Sequence, residues 1–319
     1  MLPSVSVVIP LYNKGPYIAR ALNSVLTQTF QDFEVIVVDD GSTDDGAEVV
    51  RGFDDPRIRL IQQENQGVSA ARNRGIEAAR AELVAFLDAD DEWMAGHLET
   101  IIRLRRNASE AGLYATSYIE SLSKKRMKRP RFAAIPPEPW EGLVPNYFKS
   151  CTYGDALVCS STACIPKHIL TKFGGFQEGF WWGEDTDLWG RIAFQYPVAF
   201  SWDGGVILHR DAENRACNKK RPVLTHPFVL SATKYLEEEV HVEKHAYYIR
   251  EFVAREKMAQ ALFNMNAGNS KEARSILDEC KTEEFKLRKE IYRLLCSLPT
   301  PIYNEIIRLK AALYVLGDL

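Results

Sequence analysis

Residues 83–91 read LVAFLDADD. Leu83–Leu87 is a continuous apolar run of strand length, so it reads as a strand covered on both faces. It ends in three acids, Asp88, Asp90 and Asp91, around Ala89. Carboxylates gathered at one place are costly unless something cationic or hydroxylated meets them. A turn after the strand lets both Asp88 and Asp90 reach one ligand. Hard divalent cations such as Mg²⁺ take one or two carboxylates together with substrate phosphates. A metal held there would neutralise a departing diphosphate.

Upstream, strand and helix patterns alternate. Val5–Ile9 is a β-branched run closed by Pro10, and Ile18, Leu22, Val25 and Leu26 recur at helical spacing. Glu34–Val38 is a second strand, ended by Asp39-Asp40-Gly41-Ser42. The reading predicts a short helix over Asp44–Val50, a strand over Ile58–Ile61 and an Ala-rich helix over Val68–Ala79. After the acidic turn, Ile101, Ile102 and Leu104 continue a helical pattern. Such alternation predicts a parallel sheet covered by helices, with ligands at the carboxyl ends of the strands. The acidic clusters fall at two such ends.

The loop after the first strand, Pro10-Leu11-Tyr12-Asn13-Lys14-Gly15, carries neither GxGxxG nor GxxxxGK[ST]. The loop therefore speaks against those two modes of nucleotide binding. Tyr12 could offer a ring face to a base, or simply occupy a turn. Asp39 could accept hydrogen bonds from a base or ribose, or close an Asx-turn. Arg72 could meet an anion, pair with Asp39, or be solvated. Glu184-Asp185 opens a second helical pattern through Leu188, Trp189, Ile192 and Ala193. An acid there either caps the helix or, favoured in its charged form by the dipole, takes a proton from an alcohol. His209 follows Val206–Leu208 and could supply a neutral nitrogen ligand near Asp90, or be structural. Trp181 and Trp182 precede Glu184, where aromatic faces would suit sugar rings or a core.

The rest of the chain bounds the class. Its 319 residues allow a catalytic domain and an appendage, and the net charge of -3 gives no argument for nucleic acid. No apolar run reaches the roughly 18–20 residues a membrane span needs, and MLPSVSVVIP is not a signal peptide. Six cysteines without CxxC pairs read as reduced thiols in a cytosolic protein. Lys124–Arg131 places six basic residues in eight positions and reads, with the Pro-rich stretch to Pro145, as a mobile loop. From Pro222 the chain reads as helical, broken near Gly268-Asn269 and at Pro299–Pro301, with a helical hairpin suggested by Ala261-Leu262, Ala273 and Leu277. Ile302–Leu316 is apolar enough to lie on a membrane surface, or to pack on the catalytic domain or a second subunit.

Five segments, in order, resemble glycosyltransferase family 2, whose members have the GT-A fold: SVVIPLYN (6–13), VVDDGSTD (37–44), NQGVSAARN (65–73), FLDADD (86–91) and EDTDLWGR (184–191). They span about residues 4–211. The resemblance implies a mostly parallel central sheet flanked by helices, in a catalytic domain over 1–220 (nucleotide part to about 118, acceptor part 119–220), followed by a helical region over 221–319. Pro10, Tyr12 and Asp39 then resemble a nucleotide pocket, most often for uracil, with Arg72 and Asp88 as further donor contacts. Asp90 resembles the principal ligand of Mn²⁺ or Mg²⁺, with His209 beside it, and Asp185 the general base. Trp182 and Glu184 fall near the acceptor.

The implied reaction passes a sugar, with inversion, from a nucleoside-diphosphate sugar to a glycan or lipid-linked acceptor in surface-polysaccharide assembly. The implied setting is cytoplasmic, with peripheral membrane contact through the basic loop or tail, or a homodimer through the tail, as further expectations. The competing readings are a non-catalytic sugar-nucleotide or carbohydrate-binding protein of this fold, and a sugar-1-phosphate nucleotidyltransferase. The latter lacks a glycine- and arginine-rich loop after the first strand.

Overall fold

A computed structural model describes residues 2–123, 126–212, 215, 221–238, 243–298, 302–303 and 305–306. The chain divides into two compact units, Met1–Arg215 and Ala216–Leu319. The first opens with β1 (Val5–Leu11), α1 (Gly15–Leu26), β2 (Phe33–Asp40), α2 (Gly46–Arg51), β3 (Ile58–Gln63), α3 (Val68–Ala78) and β4 (Leu83–Phe86). It continues with β5 (Glu92–Trp93), α4 (His97–Asn107), β6 (Leu113–Ser123), β7 (Arg126–Lys128), β8 (Glu141–Leu143) and α5 (Tyr147–Tyr153). A 3₁₀ turn at Ser160–Thr162 leads into β9 (Ala163–Pro166), α6 (Lys167–Phe173), α7 (Glu184–Ala193) and β10 (Val198–His209).

The strands form one sheet in the order β3-β2-β1-β4-β9-β6-β10-β5, with β7 on β6 and β8 on β10. Strands β1 to β4 run parallel. Beyond them the sheet is mixed: β9 lies antiparallel between β4 and β6, and β10 returns parallel to β6. Strands β1, β2 and β4 are buried along almost their whole length because helices cover both faces. Val5, Val7, Ile9 and Leu11 pack with Ile18, Leu22 and Val25 of α1, and with Leu98 and Ile101 of α4. On the other face a Cβ at Gly75 of α3 would lie 2.3 Å from Val8 Cγ1, so glycine sets how closely that helix approaches β1. Phe86 there meets Phe176 and Trp189 of α7 edge-on or tilted, with centroids 5.2 and 6.3 Å away.

Two local expectations are corrected. The helix expected from Asp44 starts at Gly46, because the Asp44 carboxylate accepts the amides of Gly15 (2.8 Å) and Gly46 (3.1 Å). The basic stretch is not wholly a loop: Arg126–Lys128 pairs antiparallel with β6 as β7. Lys124 and Lys125 lie outside the described residues.

His97 is buried under β10, its Nδ1 3.1 Å from Thr116 Oγ1 and its ring 4.4 Å from that of Trp93. Burial pushes its proton affinity down from 6.5 to about 3. In the unfolded chain the imidazole protonates near its ordinary value. Between those two values the unfolded chain therefore binds more protons, and lowering the pH favours it. Stability should fall by up to about 1.4 kcal/mol for each pH unit below about 6.5. Urea titrations at a series of pH values should show a shallower acid loss in His97→Gln; equal slopes would remove His97 as a cause.

The second unit is helical: α8 (Pro227–Glu238), α9 (Glu243–Asn266), α10 (Ser270–Glu279) and α11 (Lys286–Cys296). Ala254, Met258, Ala261 and Met265 line one stripe of α9 against Ala273, Ile276 and Leu277 of α10. The turn between them carries Gly268 at φ +80°, where glycine is needed. The break expected at Pro299–Pro301 and most of Ile302–Leu316 lie outside the described residues. Among the described residues no helix is long and apolar enough to cross a membrane.

Candidate active site

The carboxyl ends of β1, β2 and β4 are adjacent, so their loops share one edge of the sheet. Pro10 lies near the end of β1, and Tyr12 beyond it is 44% exposed. Asn13 ties this loop to the next: its amide donates to Ser42 Oγ (3.0 Å), and its side-chain oxygen accepts from the Thr43 amide (2.7 Å). Asp39 is buried at the end of β2. Its Oδ1 accepts from the Ser42 amide, an Asx-type turn, and its Oδ2 from Gln62 Nε2, both at 3.0 Å. The turn reading of Asp39 is thus realised, and each carboxylate oxygen keeps a lone pair for a further donor. Asp40 shapes the approach to α3 by accepting the amides of Gln66 (2.9 Å) and Gly67 (2.8 Å).

Arg72 does not pair with Asp39. It is buried on α3, and its fork donates from Nη2 to Asp88 Oδ1 and from Nη1 to Glu184 Oε1, both at 2.8 Å. Its guanidinium also lies over the Phe176 ring, 5.1 Å from the centroid. Burial alone would loosen its proton, but Asp88 and Glu184 outweigh that and raise its affinity. One arginine thereby fastens the acidic turn after β4 to the first turn of α7. Glu184 is turned inward, and its proton affinity is raised by burial and by Asp185, against the pull of Arg72. Asp185 is half-buried at the mouth, its Oδ1 accepting the Thr186 amide (2.6 Å) and its Oδ2 3.5 Å from Ser160 Oγ. Trp182 is half-buried in the segment before α7, between Gly179 and Gly183, both at positive φ.

The acidic turn is crowded. Asp90 Oδ2 accepts from Lys14 Nζ at 2.6 Å, and its carbonyl accepts from Arg20 Nη2. Asp91 is buried, held by Ser161 Oγ (2.6 Å) and the His209 amide (3.0 Å). Burial first, then the charges of Asp88 and Asp90, raise its proton affinity to about 8. His209 Nε2 lies 3.1 Å from Glu92 Oε2. Among the described residues no three side chains form a ready-made metal cage.

Lys14, Asp91 and Ser161 belong to this site and were given no role from sequence. Asp91 was visible as the third acid of its run. Lys14 lies 76 positions from Asp90, and Ser161 sits in no motif, so only the fold brings them in.

A half-sheet of this topology, with its acidic turns at one edge and an acid-bearing helix closing over them, defines the GT-A class of nucleotide-sugar glycosyltransferases. The chain belongs to Glycosyl transferase family 2, whose sequence profile matches residues 6–171. An uncharacterized glycosyltransferase of Nostoc sp. is 43% identical over 112 residues, 34% of this chain and 35% of that protein. With such relatives the shared part spans only about a third of their length or less. A Campylobacter jejuni protein named GalNAc(5)-diNAcBac-PP-undecaprenol beta-1,3-glucosyltransferase is 26% identical over 98% of this chain and 99% of its own. Among solved structures, Staphylococcus aureus TarS with UDP-GlcNAc superposes at TM-score 0.58, with 18% identity over 92% of this chain and 79% of that one. The mannosyltransferase PcManGT of Pyrobaculum calidifontis, with GDP-Man and Mn²⁺, does so at 0.60, with 17% identity over 100% and 87%. At such identities the superpositions speak for the fold.

Proposed function

We propose that this chain transfers a sugar from a nucleoside-diphosphate sugar, UDP-linked on the present reading, to a hydroxyl of a glycan or lipid-linked acceptor, with inversion. The observation that carries the proposal is the Arg72 fork, which joins Asp88 to Glu184, the latter 112 positions from Arg72 in sequence. It sets a proton acceptor, Asp185, beside the turn suited to a diphosphate. The names of similar proteins lend support: one acts on an undecaprenol-linked glycan, and structural neighbours bind UDP-GlcNAc or GDP-Man. Cys159, Cys164, Cys280 and Cys296 are free thiols, in keeping with a reducing, cytoplasmic setting. On this reading residues 1–220 are catalytic and 221–319 are an appendage.

The residues present fit a divalent cation. Three carboxylates in four positions are crowded enough to raise the proton affinity of Asp91, and an ammonium is already drawn to Asp90. Mg²⁺ and Mn²⁺ accept one or two such ligands when phosphates and water supply the rest. Asp90 would be the principal ligand, with His209, whose Nε2 lies 3.1 Å from Glu92 Oε2, as the nitrogen donor. The ion, when bound, supplies Lewis-acid stabilisation of the leaving diphosphate.

The chain's own residues do the remainder. Tyr12 and Asp39 border the base and ribose, and Arg72 holds Asp88 toward the diphosphate side. Asp185 takes the proton of the acceptor hydroxyl as its oxygen bonds to the anomeric carbon and the bond to the diphosphate breaks. Attack opposite the leaving group in one displacement inverts the configuration, and holding the reactants in line supplies much of the rate. Trp182 offers an indole face on the acceptor side.

The test is a transfer assay with lipid-linked and soluble glycan acceptors, reading nucleoside-diphosphate release and the anomeric configuration by proton NMR. The expected result is acceptor-dependent release with the opposite configuration in the product. Retention would overturn the single displacement, and pyrophosphate release from a nucleoside triphosphate would point to nucleotidyl transfer instead.

A further inference from the structure

Away from this edge, Arg103 of α4, Trp140 just before β8, Glu141 of β8, and Trp202 and Asp203 of β10 line a cavity of about 400 Å³, within the range of small-molecule sites. Gly204, on its wall, lies five residues before His209 along β10, which at strand rise is roughly 16 Å from His209. We propose that this cavity is a second saccharide site, which holds a neutral pyranose unit of the glycan acceptor at a distance from the reacting end.

The chemistry of the walls selects the ligand. Two indoles share the cavity but are fixed differently. Trp202 packs on Phe132 (5.2 Å) and Phe200 (5.9 Å) and donates its Nε1 to the Pro136 carbonyl (2.8 Å). Trp140 makes no ring contact among the described residues, and its Nε1 has no hydrogen-bond partner there, although the ring is half-buried. Its Cζ2 lies close above Gly142, where even a Cβ would come within 3.3 Å. One indole is thus a fixed wall, and the other lines the cavity without being locked by ring packing.

Polar groups complete it. Arg103 donates to Glu141 from Nε (3.0 Å) and Nη2 (2.8 Å), and from Nη2 to Asp203 (2.5 Å). The bonds from Arg103 to Glu141 also hold that carboxyl below its ordinary range, so it stays an acceptor. Glu138, also on the rim, pairs with Arg129 at 3.2 Å. The acids are therefore largely balanced by arginines, which disfavours both an anionic phosphate and a quaternary cation. Remaining lone pairs and guanidinium hydrogens, set beside an aromatic face, match the vicinal hydroxyls and C–H face of a neutral sugar.

The choice of acceptor glycan as ligand rests on the proposed function, but binding can be tested without turnover. Saturation-transfer NMR would be run on the full chain with methyl β-glucoside, methyl β-galactoside, N-acetylglucosamine, N-acetylgalactosamine, maltotriose and cellotriose, and with tetramethylammonium as the cationic probe. At least one sugar should receive saturation. Trp140→Ala should weaken its binding by about tenfold or more, and Asp203→Ala, a change at an exposed side chain, should weaken it independently. Asp185→Asn should leave it unchanged. No transfer to any sugar, transfer that survives both cavity variants, or binding of tetramethylammonium alone would overturn the site. Sugar binding here in a chain that uses no donor would instead sink the proposed function and leave the cavity assignment standing.

Discussion

Asp185→Asn is expected to lower the rate of transfer by about 10²–10⁴, the range set by losing a positioned general base. The substitution keeps the shape of the side chain and its acceptance of the Thr186 amide, so the fold and the donor site should be intact. Donor affinity should therefore stay within about twofold of wild type while turnover falls, as for an interaction made only in the transition state. Glu184→Gln is the informative contrast. Glu184 is buried and bonded to Arg72, so its loss should appear mainly as instability. A rate unchanged in Asp185→Asn, with a large fall in Glu184→Gln at equal folded fraction, would exchange their roles.

Arg72→Ala should be the most destabilising single change at the site, by about 3–5 kcal/mol, because it strands a buried carboxylate. Arg72 is 3% exposed and its partner Glu184 8%, so water cannot replace the lost cation. Asp88 is half-exposed and should suffer less. Chemical denaturation of the single variant and of Arg72→Ala/Glu184→Gln separates the causes. Neutralising the stranded acid should recover part of the loss. Arg72→Lys should recover little, since one ammonium cannot span both carboxylates as the planar fork does. A cost below about 1 kcal/mol for Arg72→Ala would mean that the pair is solvated and does not join α7 to the acidic turn.

The parallel half of the fold was legible because its strands are short, apolar and closed by acidic turns, a pattern that admits few architectures. Val5–Ile9, Glu34–Val38 and Leu83–Leu87 became β1, β2 and β4 nearly end to end. Beyond β4 the order could not be read. That β9 inserts antiparallel between β4 and β6 depends on pairing across long intervals, which periodicity does not carry. The charge of Arg126–Lys128 points to a loop, yet edge strands commonly carry such charge, and the segment pairs with β6.

At the site, the motifs placed Asp88, Asp90 and Asp185 at one edge but could not say what each touches. Arg72 looked like a partner for Asp39 or an anion. The fold instead turns it to Asp88 and Glu184, because α3 packs between β1 and the segment that carries Phe176. Lys14 followed a motif without belonging to its chemistry, and its place on Asp90 is a product of tertiary structure.

The most direct measurement is thermal stabilisation by UDP-, GDP- and dTDP-sugars, with and without Mn²⁺, in wild type and Asp90→Ala. A ligand of the folded state alone stabilises by RT ln(1 + [L]/Kd), about 2.7 kcal/mol at a hundredfold excess over Kd. The account predicts that one nucleotide class raises Tm, that Mn²⁺ enlarges the rise, and that Asp90→Ala loses the metal-dependent part. No rise with any donor, or a rise equal in both proteins with and without Mn²⁺, would contradict it.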